Sequence, residues 1–103
     1  MWHVYIVRTG DGALYTGIAR DVARRMSEHA DGGRRGARSL RGRGPLRLEF
    51  QREIGDHGAA LRVERRIKRL SRKAKERLIA TGPAAGRLLE LLDLAEPEAE
   101  LRR

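Results

Sequence analysis

Apolar and polar positions alternate along residues 2–8, Trp2-His3-Val4-Tyr5-Ile6-Val7-Arg8, and again along residues 13–17, Ala13-Leu14-Tyr15-Thr16-Gly17. Period-two alternation in β-rich residues predicts two strands. The Gly10-Asp11-Gly12 stretch between them is a turn signal, so the pair reads as an antiparallel hairpin. If Ala13 or Leu14 pairs back on Arg8 or Thr9, then Tyr5, Val7, Tyr15 and Gly17 share one face. Val4, Ile6, Leu14 and Thr16 share the other. The two tyrosines become diagonal neighbours, and Gly17 is expected to end the second strand and admit a close approach to the backbone.

The period then changes. Asp21 is a suitable N-cap for a helix over 22–31, stopped by Gly32-Gly33. Val22, Met26 and Ala30 mark its expected buried face, with Arg25 and His29 four apart on an adjacent stripe. Residues 32–45 hold six Gly or Pro and five Arg, which predicts a mobile basic loop with a short helical turn around 36–40. Leu46-Arg47-Leu48-Glu49-Phe50 alternates and predicts a third strand to about Glu53. Asp56 caps a helix over 57–69 with Ala60, Leu61, Val63, Ile67 and Leu70 at helical spacing. Glu64 falls in the same stripe and is expected on the core side. Ser71 caps a helix over 72–80, with Ala74, Leu78 and Ile79 inward, and residues 84–95 predict one more amphipathic helix. The order β-β-α-β-α-α(-α) predicts an α/β chain of the α+β type: a three-stranded, mostly antiparallel sheet flanked by helices. Residues 1–82 form the expected main domain, and 83–103 a C-terminal helix with an acidic tail.

Composition narrows the function. The chain has no Cys, which removes disulfides, thiolate metal sites and cysteine nucleophiles. No signal-peptide pattern and no segment of membrane-spanning length is read, so a cytoplasmic location is expected. The net charge of +9 is unevenly placed: residues 81–103 hold three basic and five acidic groups, leaving 1–80 with a net of +11. Charge so concentrated points to a polyanion, and nucleic acid is the usual one. No phosphate-loop or dinucleotide fingerprint occurs, the three histidines are scattered, and no pair of carboxylates is placed for glycoside chemistry.

The remaining polar residues fit phosphodiester cleavage, which needs an activated water and charge stabilisation on the phosphoryl oxygens. Glu64, an isolated carboxylate in an apolar stripe, can anchor one hydrated divalent cation. Arg25 can clamp a phosphate with its planar donor fork. Tyr5 or Tyr15 can orient or deprotonate water, although a phenol with pKa near ~10 is about one part in a thousand ionised at neutral pH. His29 can donate to the phosphate or share in proton transfer. The blander fates are a packed pair of strand tyrosines, a solvated helix arginine, and a glutamate in a salt bridge. His3 and His57 read as structural.

These residues resemble the GIY-YIG endonuclease superfamily, most closely its small stand-alone, single-domain bacterial group. The first tripeptide is matched by His3-Val4-Tyr5, where His3 replaces the glycine, and the second by Tyr15-Thr16-Gly17. Arg25, His29 and Glu64 fall at the superfamily's arginine, following His or Tyr, and metal-binding glutamate. The run from Glu64 to Arg72 is similar to a stretch typical of the stand-alone group, and the resemblance spans about residues 2–80. It implies a Mg²⁺- or Mn²⁺-dependent endonuclease cutting DNA, duplex or branched, in repair or recombination, with a protein partner supplying specificity. Leu88, Leu89, Leu91 and Leu92 read as core rather than dimer contact, so a monomer is expected. Tyr5, Tyr15, Arg25, His29 and Glu64 are the expected catalytic residues, with Glu64 on the metal. Gly17, Arg34, Arg35, Arg38, Arg41, Arg43 and Lys68 are the expected DNA contacts. A catalytically weak nucleic-acid-binding module on the same fold is the competing reading.

Overall fold

The first strand, β1 (Trp2–Arg8), is central in a three-stranded sheet of order β2-β1-β3 in the computed structural model, which describes residues 1–31 and 36–81. Being central explains its composition: Val4, Tyr5, Ile6 and Val7 are all at most 1% exposed. A strand covered on both sides and both edges needs apolar groups on both faces. β2 (Leu14–Ala19) pairs antiparallel with β1, with Arg8 opposite Leu14, Val7 opposite Tyr15 and Tyr5 opposite Gly17. That is the expected register. The strand does not stop at Gly17, as the glycine had implied, but continues through Ile18 and Ala19. Its apolar residues carry the ladder past the glycine, with Ile18 opposite Val4 and Ala19 opposite His3.

The hairpin turn is held by its own polar groups. Thr9 N–H donates to Ala13 O at 2.9 Å, Gly12 N–H to Thr9 O at 2.9 Å, and Ala13 N–H to Thr9 Oγ1 at 3.0 Å. Gly12 sits at φ 89°, a conformation that favours glycine.

α1 (Val22–Asp31) begins where Asp21 Oδ1 accepts from the Arg24 N–H at 3.0 Å. A 3-10 turn over Arg38–Leu40 follows, within the range where a short turn was expected. The described part of this basic segment is anchored rather than loose. Gly10 N–H donates to Arg43 O at 2.7 Å, and Gly10 packs so closely on Gly44 O that no Cβ fits. β3 (Arg47–Gly55) runs antiparallel to β1 and two residues further than the pattern indicated. α2 (His57–Lys68) is capped by Asp56, which accepts from Ala59 N–H at 2.8 Å. α3 (Arg72–Thr81) is capped by Ser71, whose Oγ accepts from Ala74 N–H at 3.1 Å.

The chain divides into two units, Met1–Glu64 and Arg65–Arg103. In the first unit, Tyr5, Val7, Ala19 and Val22 form a core cluster joined by Tyr15, Met26 and Leu46. This is the tyrosine face of the hairpin, covered by α1. In the second unit, Ile67, Leu70, Ala74 and Leu78 are buried, and Ile79 is half-buried. The helix expected over 84–95 and the acidic tail lie outside the described residues.

Candidate active site

Every residue expected to do chemistry belongs to the first unit. The hairpin register puts Tyr5 and Tyr15 on one face, and their rings lie 6.4 Å apart. Gly17, directly across from Tyr5, is buried because the Tyr5 ring folds over it. A Cβ at Gly17 would sit 2.5 Å from Tyr5 Oη and 2.6 Å from Tyr5 Cζ. The close approach expected at this glycine is therefore made by the chain's own tyrosine.

α1 supplies the next two groups. Val22 is buried and Met26 half-buried, but Ala30, expected to continue that face, is exposed. His29 takes the inward place instead, at 2% exposure. Its ring stands edge-on to Tyr15, centroids 5.6 Å apart, and 6.1 Å from the Tyr5 ring. A buried imidazole needs partners for both nitrogens. Nε2 lies 2.9 Å from Tyr5 Oη, and Nδ1 accepts from the Ala37 backbone N–H at 3.0 Å.

Arg25, one turn earlier, is half-exposed. It donates from Nη1 to Glu28 Oε1 at 3.0 Å and also hydrogen-bonds the Tyr5 hydroxyl. Glu28 holds Arg24 more loosely, at 3.8 Å. Arg25 also borders an open cleft of about 450 Å³ whose wall includes Trp2, Arg20 and Arg24. The Arg20 guanidinium lies over the Trp2 ring, 5.4 Å from its centroid. His57 packs against the same ring, centroids 4.5 Å apart.

The electrostatics follow from this burial. Loss of solvent pushes the Tyr5 phenol up to about 12, and the neighbouring Tyr15 adds to the rise. Arg25 opposes it, and the Glu64 carboxylate raises it further. That coupling brings Glu64, half-buried on α2, within electrostatic reach of the tyrosine. Burial, and then the Arg25 charge, hold His29 below its ordinary value, with Glu28 opposing. His29 is therefore a neutral imidazole at pH 7.

Among the described residues no three or more His, Asp or Glu side chains cluster as a metal cage. Glu64 is a single carboxylate in electrostatic reach of Tyr5. One carboxylate suits Mg²⁺ or Mn²⁺, which keep water in their coordination shell, and does not suit a four-ligand zinc centre.

The expected DNA contacts are placed more variously. Arg38, Arg41 and Lys68 are exposed, and Arg34 and Arg35 lie outside the described residues. Arg43 is half-buried and pairs with Asp11 at 3.0 Å while donating to Ser39 O at 3.2 Å, so it ties the basic segment to the hairpin turn. Asp11 also accepts from the Thr9 hydroxyl, and these two partners hold its carboxyl below the ordinary value. Reading the sequence as a turn plus a loose loop missed this junction. It also missed Gly36 and Ala37, whose backbone reaches His29. Glu28 could have been found from its i,i+3 and i,i+4 spacing to Arg25 and Arg24.

The hairpin carries two tyrosines, and the following helix presents an arginine and a histidine beside them, an arrangement that fits a nuclease-type domain. The model of the GIY-YIG catalytic domain matches residues 1–77, and the chain belongs to the GIY-YIG family. Within it, the similar proteins are small bacterial ones. A UPF0213 protein from Citrobacter koseri is 50% identical over 91 residues, covering 88% of this chain and 89% of that protein. The UPF0213 protein YhbQ of Escherichia coli O157:H7 is 44% identical over 99 residues, covering 96% and 97%. The solution NMR structure of a UPF0213 protein from Bacillus halodurans is 42% identical, with a TM-score of 0.51, covering 82% of this chain and 89% of that one.

Proposed function

We propose that the protein is a divalent-metal-dependent endonuclease that hydrolyses DNA phosphodiester bonds in repair or recombination in the cytoplasm. The observation that carries this reading is the convergence of Tyr5, Tyr15, Arg25 and His29 on one face, with the Glu64 carboxylate in electrostatic reach. Glu64 would hold Mg²⁺ or Mn²⁺, whose Lewis acidity offsets charge building on the phosphoryl oxygens. Arg25, half-exposed and braced by Glu28 and Tyr5, clamps the scissile phosphate. Tyr15, half-exposed, is the tyrosine that can reach an attacking water. Tyr5, 1% exposed, braces Arg25 and His29.

A second reading, a nucleic-acid-binding module with weak chemistry, draws on the second unit. Residues 65–77 hold eight basic side chains and one acidic, and Arg65, Lys68, Arg69, Arg72 and Lys73 are exposed. Such a surface binds a phosphate backbone without any active site and with strong salt dependence.

Labelled duplex, flap and four-way-junction DNA, incubated with Mg²⁺ or Mn²⁺, separates the two. The native chain should cut, and Glu64→Ala should not cut while still binding DNA. Arg25→Ala should lose about 10²–10³ in rate, the scale of removing one transition-state donor. Exposed Arg24→Ala should lose far less. Salt-sensitive binding with no cutting by the native chain would support the module instead.

A further inference from the structure

We infer that the Gly36–Ala37 backbone is a positioning element for this centre: it holds His29 in a single tautomer, makes it a fixed donor to Tyr5, and keeps it out of proton transfer. The inference rests on the endonuclease reading for its catalytic consequence but not for its geometry.

The polarity follows from one group. A backbone N–H can only donate, so the Ala37 amide at 3.0 Å requires a lone pair on His29 Nδ1. A neutral imidazole carries one N–H, which must then sit on Nε2. At 2.9 Å from Tyr5 Oη, that N–H donates and the tyrosine oxygen accepts. The other tautomer, and the imidazolium, would both set an Nδ1–H against the Ala37 N–H. Two buried donors facing each other are costly. Burial and the Arg25 charge disfavour the imidazolium independently.

The chain reaches this position through a close contact. A Cβ on Gly36 would lie 2.6 Å from the Glu28 carbonyl oxygen and 3.1 Å from His29 Cα. Only glycine lets the backbone run this close to the last turn of α1 and deliver the next amide to the ring. Ala37 then leads into the 3-10 turn in an extended conformation. The resulting run is Ala37 N–H to His29, His29 N–H to Tyr5, with Arg25 also on the Tyr5 oxygen. With one face of Tyr5 filled by Gly17 and its oxygen held from two sides, the Arg25 guanidinium has a defined seat.

The test is NMR on uniformly ¹⁵N-labelled native protein at neutral pH. Long-range ¹H–¹⁵N correlation of His29 should show unprotonated Nδ1 and protonated Nε2. A two-bond coupling should appear across the hydrogen bond from the Ala37 amide nitrogen to Nδ1. A protonated Nδ1, a tautomer mixture or an imidazolium overturns the inference, whether or not the protein cuts DNA. In Gly36→Ala the coupling should disappear and the two tautomers should mix, with native β1–β2 amide shifts retained. Retention of the coupling in Gly36→Ala would reject glycine's role. If the native chain cuts DNA, kcat in Gly36→Ala should fall about a hundredfold, the scale of a misplaced reacting group, with KM little changed. A fall in KM-controlled binding alone would count against positioning.

Discussion

Gly17→Ala tests the packing on which the site is built. Gly17 is not among the glycines with positive φ, so alanine can adopt its backbone conformation and the cost is steric. The new Cβ would meet Tyr5 Oη at 2.5 Å, Tyr5 Cζ at 2.6 Å and Tyr15 Cε1 at 3.1 Å. Tyr5 is fully buried and cannot swing aside without leaving its core neighbours Val7, Ala19 and Val22. Overpacking of this kind costs about 1–3 kcal/mol. Displacing the Tyr5 hydroxyl from His29 adds about 0.5–1.5 kcal/mol. Reduced freedom of the unfolded chain returns about 0.4–1 kcal/mol. The balance is a loss of about 2 kcal/mol, which for a domain of this size lowers the thermal midpoint by about 10 °C. Thermal unfolding followed by circular dichroism measures it. Because Cζ clashes as badly as the hydroxyl, combining Gly17→Ala with Tyr5→Phe should not restore stability. A midpoint drop below about 3 °C, or rescue by Tyr5→Phe, would refute the claim that the ring fills the glycine's place.

Tyr5→Phe should cost about 1–3 kcal/mol in urea unfolding, because it leaves the His29 N–H buried without an acceptor. Tyr15→Phe, at a half-exposed position, should lose cutting of junction DNA with little change in stability. Stability should also fall as pH drops below about 6.5, the unfolded histidine value, because folding holds His29 below it. The unfolded chain then binds a proton that the folded chain refuses, and the loss continues down to the folded value. Urea midpoints measured between about pH 7 and about pH 5 should show this slope, and His29→Gln should flatten it.

Much of the fold was legible because local signals and packing agree. The hairpin register follows from alternation plus a Gly-Asp-Gly turn, and Asp21, Asp56 and Ser71 cap the helices the pattern indicated. Misreadings arose where tertiary contacts override local chemistry. Gly17 looked like a strand end but sits inside β2, since the Tyr5 ring supplies the contacts its missing side chain would have made. Ala30 looked buried, with His29 only on the adjacent stripe. The imidazole goes inside because Tyr5 and the Ala37 amide satisfy both nitrogens, which no helical period can reveal. Gly36 and Arg43 looked like parts of a loose basic loop. One is there for close approach to α1, the other for its pairing with Asp11, and both partners are distant in sequence or invisible to composition.

The two tyrosines, equivalent in the sequence, are made unequal by one pleat of the sheet. Tyr5 lies on the central strand, opposite a glycine, so its ring collapses onto the sheet and loses solvent. Desolvation of a phenolate outweighs the help of one arginine, which is why Tyr5 stays a phenol although Arg25 touches it. A buried phenol is a poor base but a good hub, accepting from His29 and Arg25 on one oxygen. Tyr15, on edge strand β2 opposite Val7 rather than a glycine, only borders Gly17 and keeps part of its surface. On the proposed endonuclease reading, the edge tyrosine faces the substrate, while the central one orders the groups that hold it.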